Sequence, residues 1–299
     1  MKFIDYLSQT ALRNNSALCA GFDPVIETVP LCFKKLGGKE LGNVDATTTV
    51  LTEFYRFAIE ILSGSIACIK PNIAFFEQYG IAGLVALKNI LAISREHKIP
   101  SILDAKRGDI GTTAKAYADA YFKTSDFEAD SVTVNPFLGF DTVKVFLDGA
   151  VENNKGIFIL VKTSNPGSDD LQDLLVNELS ISDRVAKWVA DNSKYLSGDS
   201  AEAKNLSGLG AVVGATHPAH LLKLRTLMPQ SLLLIPGYGA QGGTAEDVLP
   251  AFIKPQLGAV INASRGLMNN FKSSDASIEI LKEELKNTAN NLSLPLNKK

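Results

Sequence analysis

Cysteine, histidine and tryptophan are scarce in this chain, with three, three and one among 299 residues. Cys19, Cys32 and Cys68 stand at unrelated spacings that form neither a Cys-x-x-Cys pair nor a disulfide framework, and two of them lie inside apolar runs where cysteine serves as a small hydrophobe. A reducing, cytoplasmic setting is expected. His217 and His220 are three apart and suited to one helix face, yet no third ligand accompanies them, so no metal site is expected; His97 precedes an apolar run and reads as a surface residue. An excess of either charge is also missing, since 30 Lys+Arg face 32 Asp+Glu for a net charge of −2. That balance argues against nucleic acid as a main partner and against attraction to a membrane surface. No apolar run reaches the roughly 18 to 20 residues of a membrane span. Met1 to Leu7 is spaced like an amphipathic helix, without the apolar core of a signal peptide. What remains is a globular composition, 45% hydrophobic, for which a small molecule is the default partner.

Short runs rich in Val, Ile and Leu are what the chain does have. They fall at Ala17–Gly21, Ile66–Ile69, Ile99–Leu103, Ser131–Val134, Gly156–Val161, Gly210–Gly214, Leu232–Ile235 and Gly258–Ile261. Segments of helical spacing, such as Leu51–Leu62 and Ile81–Ile93, lie between them, and this alternation implies a parallel sheet joined by crossovers. Eight such units predict an α/β fold, a single-domain (β/α)8 TIM barrel over residues 1–299. An elaborated loop is expected at about 24–49 after the first strand, a surface excursion at Leu196–Ser207, and a C-terminal helix at about 275–290.

In such a barrel the active site is built at the C-terminal ends of the strands. Each run here ends in polar residues, and the densest cluster is Asp104-Ala105-Lys106-Arg107-Gly108-Asp109. Residues two apart on a strand face the same way, so Asp104 and Lys106 should project together into the barrel mouth, with Asp109 returning from the following loop. At an effective dielectric near 20, charges about 4 Å apart interact by roughly 4 kcal/mol, enough to keep the lysine an ammonium. That suits an acid. A Schiff-base lysine wants a desolvated or cationic surrounding instead. The glycine-rich stretch Gly237 to Gly243 and the segment Ala263-Ser264-Arg265-Gly266 follow the seventh and eighth runs, where barrels often bind phosphate, and Arg265 adds a guanidinium fork. A phosphorylated small substrate is expected.

The spacing Asp104-x-Lys106-x-x-Asp109-Ile110-Gly111, with Asp23, Lys70, Thr113, Thr163-Ser164-Asn165-Pro166-Gly167, the Pro236–Gly243 stretch and Arg265-Gly266, resembles orotidine 5′-phosphate decarboxylase, in particular the longer, mainly bacterial branch of that family. The resemblance covers nearly the whole barrel. It implies that Lys70, Asp104, Lys106 and Asp109 form a network of alternating charge, with Lys106 the proton donor to C6 of the pyrimidine. It further implies a homodimer in which Asp109 and Thr113 cross to the neighbouring subunit's site. Asp23, Lys70 and Thr113 would hold the ribose, Ser164 the pyrimidine edge, Gln241 the phosphate and base side together, and Arg265 the phosphate, with Gly243 and Gly266 in the phosphate loops. The implied reaction converts orotidine 5′-monophosphate to uridine 5′-monophosphate and CO2 in de novo pyrimidine biosynthesis, with no pyridoxal, thiamine, flavin or metal. Two departures stand out: Pro71-Asn72 follows Lys70 where many members have Thr-His, and the 24–49 loop has no counterpart. The alternatives are a Mg2+-dependent phosphosugar decarboxylase or aldolase of related barrel fold, and a noncatalytic nucleotide-binding protein.

Overall fold

A strand buried on both faces needs no polar alternation, which is why the strands of a parallel barrel read as unbroken apolar runs. The eight runs become eight strands in the computed structural model of the chain, which describes residues 1–38, 43–215, 218–238, 244–269, 271, 275–293 and 296. They are β1 (Leu18–Phe22), β2 (Cys68–Pro71), β3 (Ile102–Arg107), β4 (Ser131–Val134), β5 (Gly156–Lys162), β6 (Ser207–Val213), β7 (Ser231–Ile235) and β8 (Ala259–Ala263). All pair in parallel in the order β2-β1-β8-β7-β6-β5-β4-β3. Isolated parallel bridges, Ile69 to Ser101 and Asn72 to Asp104, close the ring between β2 and β3. The expected (β/α)8 barrel is the observed fold.

Helix α1 (Phe3–Arg13) precedes β1, and helices α2 (Val44–Leu62), α3 (Gly80–Glu96), α4 (Gly111–Phe122), α5 (Phe140–Asn153), α6 (Ile181–Asn192), α7 (Pro218–Leu227) and α8 (Ile278–Ser293) account for most of the outer layer. A larger apolar cluster fills the space between strands and helices, and a second one fills the barrel interior. Helix α1 belongs to the interior cluster. Its Phe3, Ile4 and Leu7 are almost fully buried and meet Cys19, Cys68, Phe158 and Val260 inside the ring. Each such side chain contributes about 1.5–3 kcal/mol by leaving water. The plug fits because β5 begins with Gly156, where a Cβ would come within 2.2 Å of the Phe3 ring. Asp5 then accepts from the N–H groups of Asp199 (3.0 Å) and Ser200 (2.9 Å), so the 196–207 excursion ties α1 in place.

The loop expected at about 24–49 is shorter than the sequence suggests. Short helices at Leu31–Lys34 and at Lys35–Gly37 occupy its first part, residues 39–42 lie outside the described segments, and α2 already starts at Val44. Asn43 caps α2 by accepting from the N–H of Asp45 at 3.0 Å. The Thr47-Thr48-Thr49 run conceals this start, because threonine is a poor helix former that here is held by burial of Ala46, Thr47 and Val50. The C-terminal helix appears as expected. No described helix is long and apolar enough to cross a membrane.

Candidate active site

Strand β3 carries the charge cluster further into the sheet than its apolar composition predicts. It runs through Arg107, and its register with β4 shifts between Leu103 and Arg107. The shift coincides with a left-handed backbone at Lys106, φ 46°. This irregularity, rather than plain strand alternation, aims the Lys106 side chain at the barrel mouth. The Lys106 N–H donates to the hydroxyl of Thr133 on β4 (2.8 Å), and that hydroxyl donates to Asp104 Oδ1 (3.0 Å). Thr133 was invisible as a site residue in the sequence because it occupies an ordinary position of the Ser-Val-Thr-Val strand.

Asp104 is the hub. Lys70, at the end of β2, donates to its Oδ2 at 2.8 Å, and Lys106 donates to its Oδ1 at 2.7 Å. Both Asp104 and Lys70 are buried, whereas the Lys106 side chain is about half exposed (48%). Burial alone would push the Asp104 carboxyl up, but the flanking charges of Lys70 and Lys106 and their hydrogen bonds overcome it and hold the group well below the usual carboxylate range. Burial would likewise lower Lys70, and the negative charges of Asp104 and Asp23 raise it above an ordinary lysine. The site therefore holds a fixed anion between two ammonium groups, one inside the wall and one facing the opening.

A cavity of about 590 Å3 opens at this end of the barrel. Asp23, Lys70, Asp104, Lys106, Ser164 and Arg265, all singled out from sequence, line it. Its apolar floor is Leu160, Val212 and Leu234, where the interior cluster reaches the mouth. Two wall atoms, Asp23 Oδ1 and Ser264 Oγ, are buried without a hydrogen-bond partner in the protein. Facing a cavity, such atoms are open to a hydrogen bond from a ligand or water. The wall here depends on Gly21: a Cβ at that position would lie 2.7 Å from Ser264 Cβ and 2.8 Å from Asn262 Oδ1, so only glycine lets β1 and β8 converge. Asn262, Ser264 and Tyr238 were not expected from sequence to line the site individually, although the last two strand ends were. Asn72, one of the two departures from the family pattern, also lines the cavity while capping the Ile73–Glu77 helix through acceptance from Ala74 N–H (3.3 Å).

Asp109 and Thr113 do not join these groups within the chain. The expectation that Asp109 returns to flank Lys106 of its own strand is not met: its carboxylate accepts from the Ile110 N–H (2.8 Å), and neither Asp109 nor the exposed Thr113 lines the cavity. Gly108 presses on the β4–α5 loop, where a Cβ would meet Asn135 O at 2.9 Å, so the two loops lie side by side. Gly266 follows Arg265 at the cavity rim without lining it. Gln241 and Gly243, and likewise Thr216 and His217, fall outside the described residues. No cluster of three potential metal ligands occurs among the described residues.

Comparison with known proteins places this geometry in context. A family model described as "Orotidine 5'-phosphate decarboxylase / HUMPS family" matches residues 16–277. The chain is 39% identical over 283 residues to the orotidine 5′-phosphate decarboxylase of Rhodopirellula baltica, a match covering 93% of this chain and 92% of that one. To the enzyme of Deinococcus radiodurans it is 40% identical over 271 residues, covering 89% and 88%. Among solved structures, the OMP decarboxylase of Leishmania donovani superposes with a TM-score of 0.74 at 31% identity, covering 99% of this chain and 98% of that one.

Proposed function

The chain belongs to the orotidine 5′-phosphate decarboxylase family, and from that premise we propose how its own residues convert orotidine 5′-monophosphate to uridine 5′-monophosphate and CO2. The observation that carries the reading is the hub at Asp104, which leaves one ammonium, Lys106, facing a cavity large enough for a nucleotide. When the C6–carboxylate bond breaks, its electron pair stays on C6 and CO2 departs. Lys106 stabilises that carbanion by its charge and then transfers a proton from Nζ to C6, to be reprotonated from solvent. Asp104 holds Lys106 in place through a 2.7 Å bond and does not titrate in the working range, so Nζ keeps its position while its proton leaves and returns. Asp23, with its unpartnered buried oxygen, takes a ribose hydroxyl together with Lys70, Ser164 takes the pyrimidine edge, and Arg265 takes the phosphate.

The position of Asp109 and Thr113 outside their own cavity supports a homodimer in which they serve the partner's site. Large apolar side chains flank them: Ile110 is 63% exposed, and Phe137 and Leu138 on the adjoining loop are 74% and 48% exposed. A second copy would cover that patch. The chain as a whole is read as one barrel domain, and its three free cysteines suit a cytoplasmic setting.

The direct test is turnover. The ultraviolet absorbance of orotidine 5′-monophosphate should fall on incubation with the protein, equally in excess chelator; no turnover of the nucleotide would favour a phosphosugar enzyme or a noncatalytic binding protein, and chelator-sensitive turnover of a phosphosugar would pick out the first of these. The phosphate assignment has its own test. Arg265→Ala should lower kcat/KM for the nucleotide by about a hundredfold, the worth of a strong charge-assisted contact, and leave the slow decarboxylation of orotidine itself unchanged. Equal losses with both substrates would mean that Arg265 supports the fold instead.

A further inference from the structure

The last residue of β5 is a lysine whose side chain is wholly buried. Lys162 is 0% exposed, and its ammonium contacts Asp169 Oδ1 at 2.7 Å and Asp173 Oδ1 at 2.9 Å. It does not line the cavity, but the next three residues, Thr163, Ser164 and Asn165, do. The two carboxylates belong to the far end of the same excursion, so Lys162 ties the end of the loop to its beginning. Other bonds brace the loop from within. Gln172 accepts from the Thr163 N–H (2.9 Å) and donates to the Thr163 hydroxyl (2.8 Å), which in turn donates to Asn165 Oδ1 (2.6 Å). The Ser168 hydroxyl adds a bond to Asp169 Oδ1 (3.1 Å).

The neighbouring strand supplies a backstop. Gly214 N–H donates to the Lys162 carbonyl (2.8 Å), and a Cβ on Gly214 would lie 2.9 Å from Ser164 Cα. Ser164 therefore rests directly on backbone, with no side chain between. A wholly buried ammonium is a costly way to stabilise a fold when an apolar residue fills the same space, even where its carboxylate partners reach solvent. What the pair does supply is a fixed distance between two points of a loop, and the point it fixes is adjacent to Ser164.

We infer that Lys162 is a positioning residue: clamped by Asp169 and Asp173, it sets the 163–173 loop so that Ser164 meets the pyrimidine, and it contributes to base recognition without touching the base. The inference rests on the reading of Ser164 as the base contact. The test is a double-mutant cycle on kcat/KM for orotidine 5′-monophosphate using Lys162→Met and Ser164→Ala, with inhibition by ribose 5-phosphate as a measure of the phosphate end. Each single variant should lose roughly ten- to a hundredfold, and the double variant should be within about threefold of the worse single, because both remove one interaction. Affinity for ribose 5-phosphate should not change, and Lys162→Arg should restore part of the loss. If both singles are impaired and their losses multiply in the double variant, or if Lys162→Met is silent, the clamp is overturned. A silent Ser164→Ala would instead overturn the reading of Ser164. Should Lys162→Met fail to fold, Asp169→Asn repeats the cycle from the exposed side of the same ion pair, where Asp169 is 59% exposed.

Discussion

Lys106→Ala is expected to reduce decarboxylation by at least about ten-thousandfold while uridine 5′-monophosphate still binds within about tenfold of the unaltered protein. In the proposed mechanism the loss is large because one group both stabilises the carbanion and delivers the proton. Binding persists because Asp23, Ser164 and Arg265 reach the cavity from other strand ends. The fold should persist too. Asp104 keeps Lys70 at 2.8 Å and Thr133 at 3.0 Å, so no buried charge is stranded when the exposed ammonium goes. Kinetics and product binding measured on one preparation check both halves. Borohydride treatment of the unaltered protein with substrate should trap no adduct, and a trapped lysine adduct would replace the acid with Schiff-base chemistry.

Asp109→Ala should be nearly as damaging, and its partial rescue by mixing distinguishes a shared site from a private one. An inactive Lys106→Ala subunit combined with an inactive Asp109→Ala subunit forms a hybrid in which one site has both groups and the other has neither. Random exchange makes about half the dimers hybrid, so activity should return to roughly a quarter of the unaltered level. If Asp109 serves its own chain, every hybrid site lacks one group, and verified subunit exchange would restore nothing.

The barrel was legible because burial on both faces writes each strand as a continuous apolar run, and the placement of all eight survived. The ends were less legible. Strand β3 continues through Asp104, Lys106 and Arg107, residues whose charge argues against a strand until their partners are known: Arg107 donates to Glu77 (2.8 Å) and to Tyr121 (3.0 Å). Charged cavity residues stood out in the sequence because two carboxylates, two lysines and an arginine at strand ends have few bland explanations. Thr133 and Ser264 did not, since a hydroxyl looks the same whether it anchors a catalytic backbone or merely fills a strand. The Lys162 clamp was equally hidden. Its partners lie seven and eleven residues away in a loop with no periodicity, and only the folded chain brings them back.

The left-handed backbone at Lys106 sets stability and activity against each other at a single residue. A side chain in that conformation costs roughly 1–2 kcal/mol, a strain that glycine escapes and asparagine bears more easily. Neither carries a proton donor. The residue favoured by thermodynamics at position 106 thus differs from the one the proposed mechanism requires, and the neighbouring Thr133 hydroxyl, bound to the Lys106 N–H, holds the backbone against that preference. Lys106→Gly should therefore relieve the local strain even as it removes the acid, a gain in backbone comfort that comes only with the loss of the chemistry.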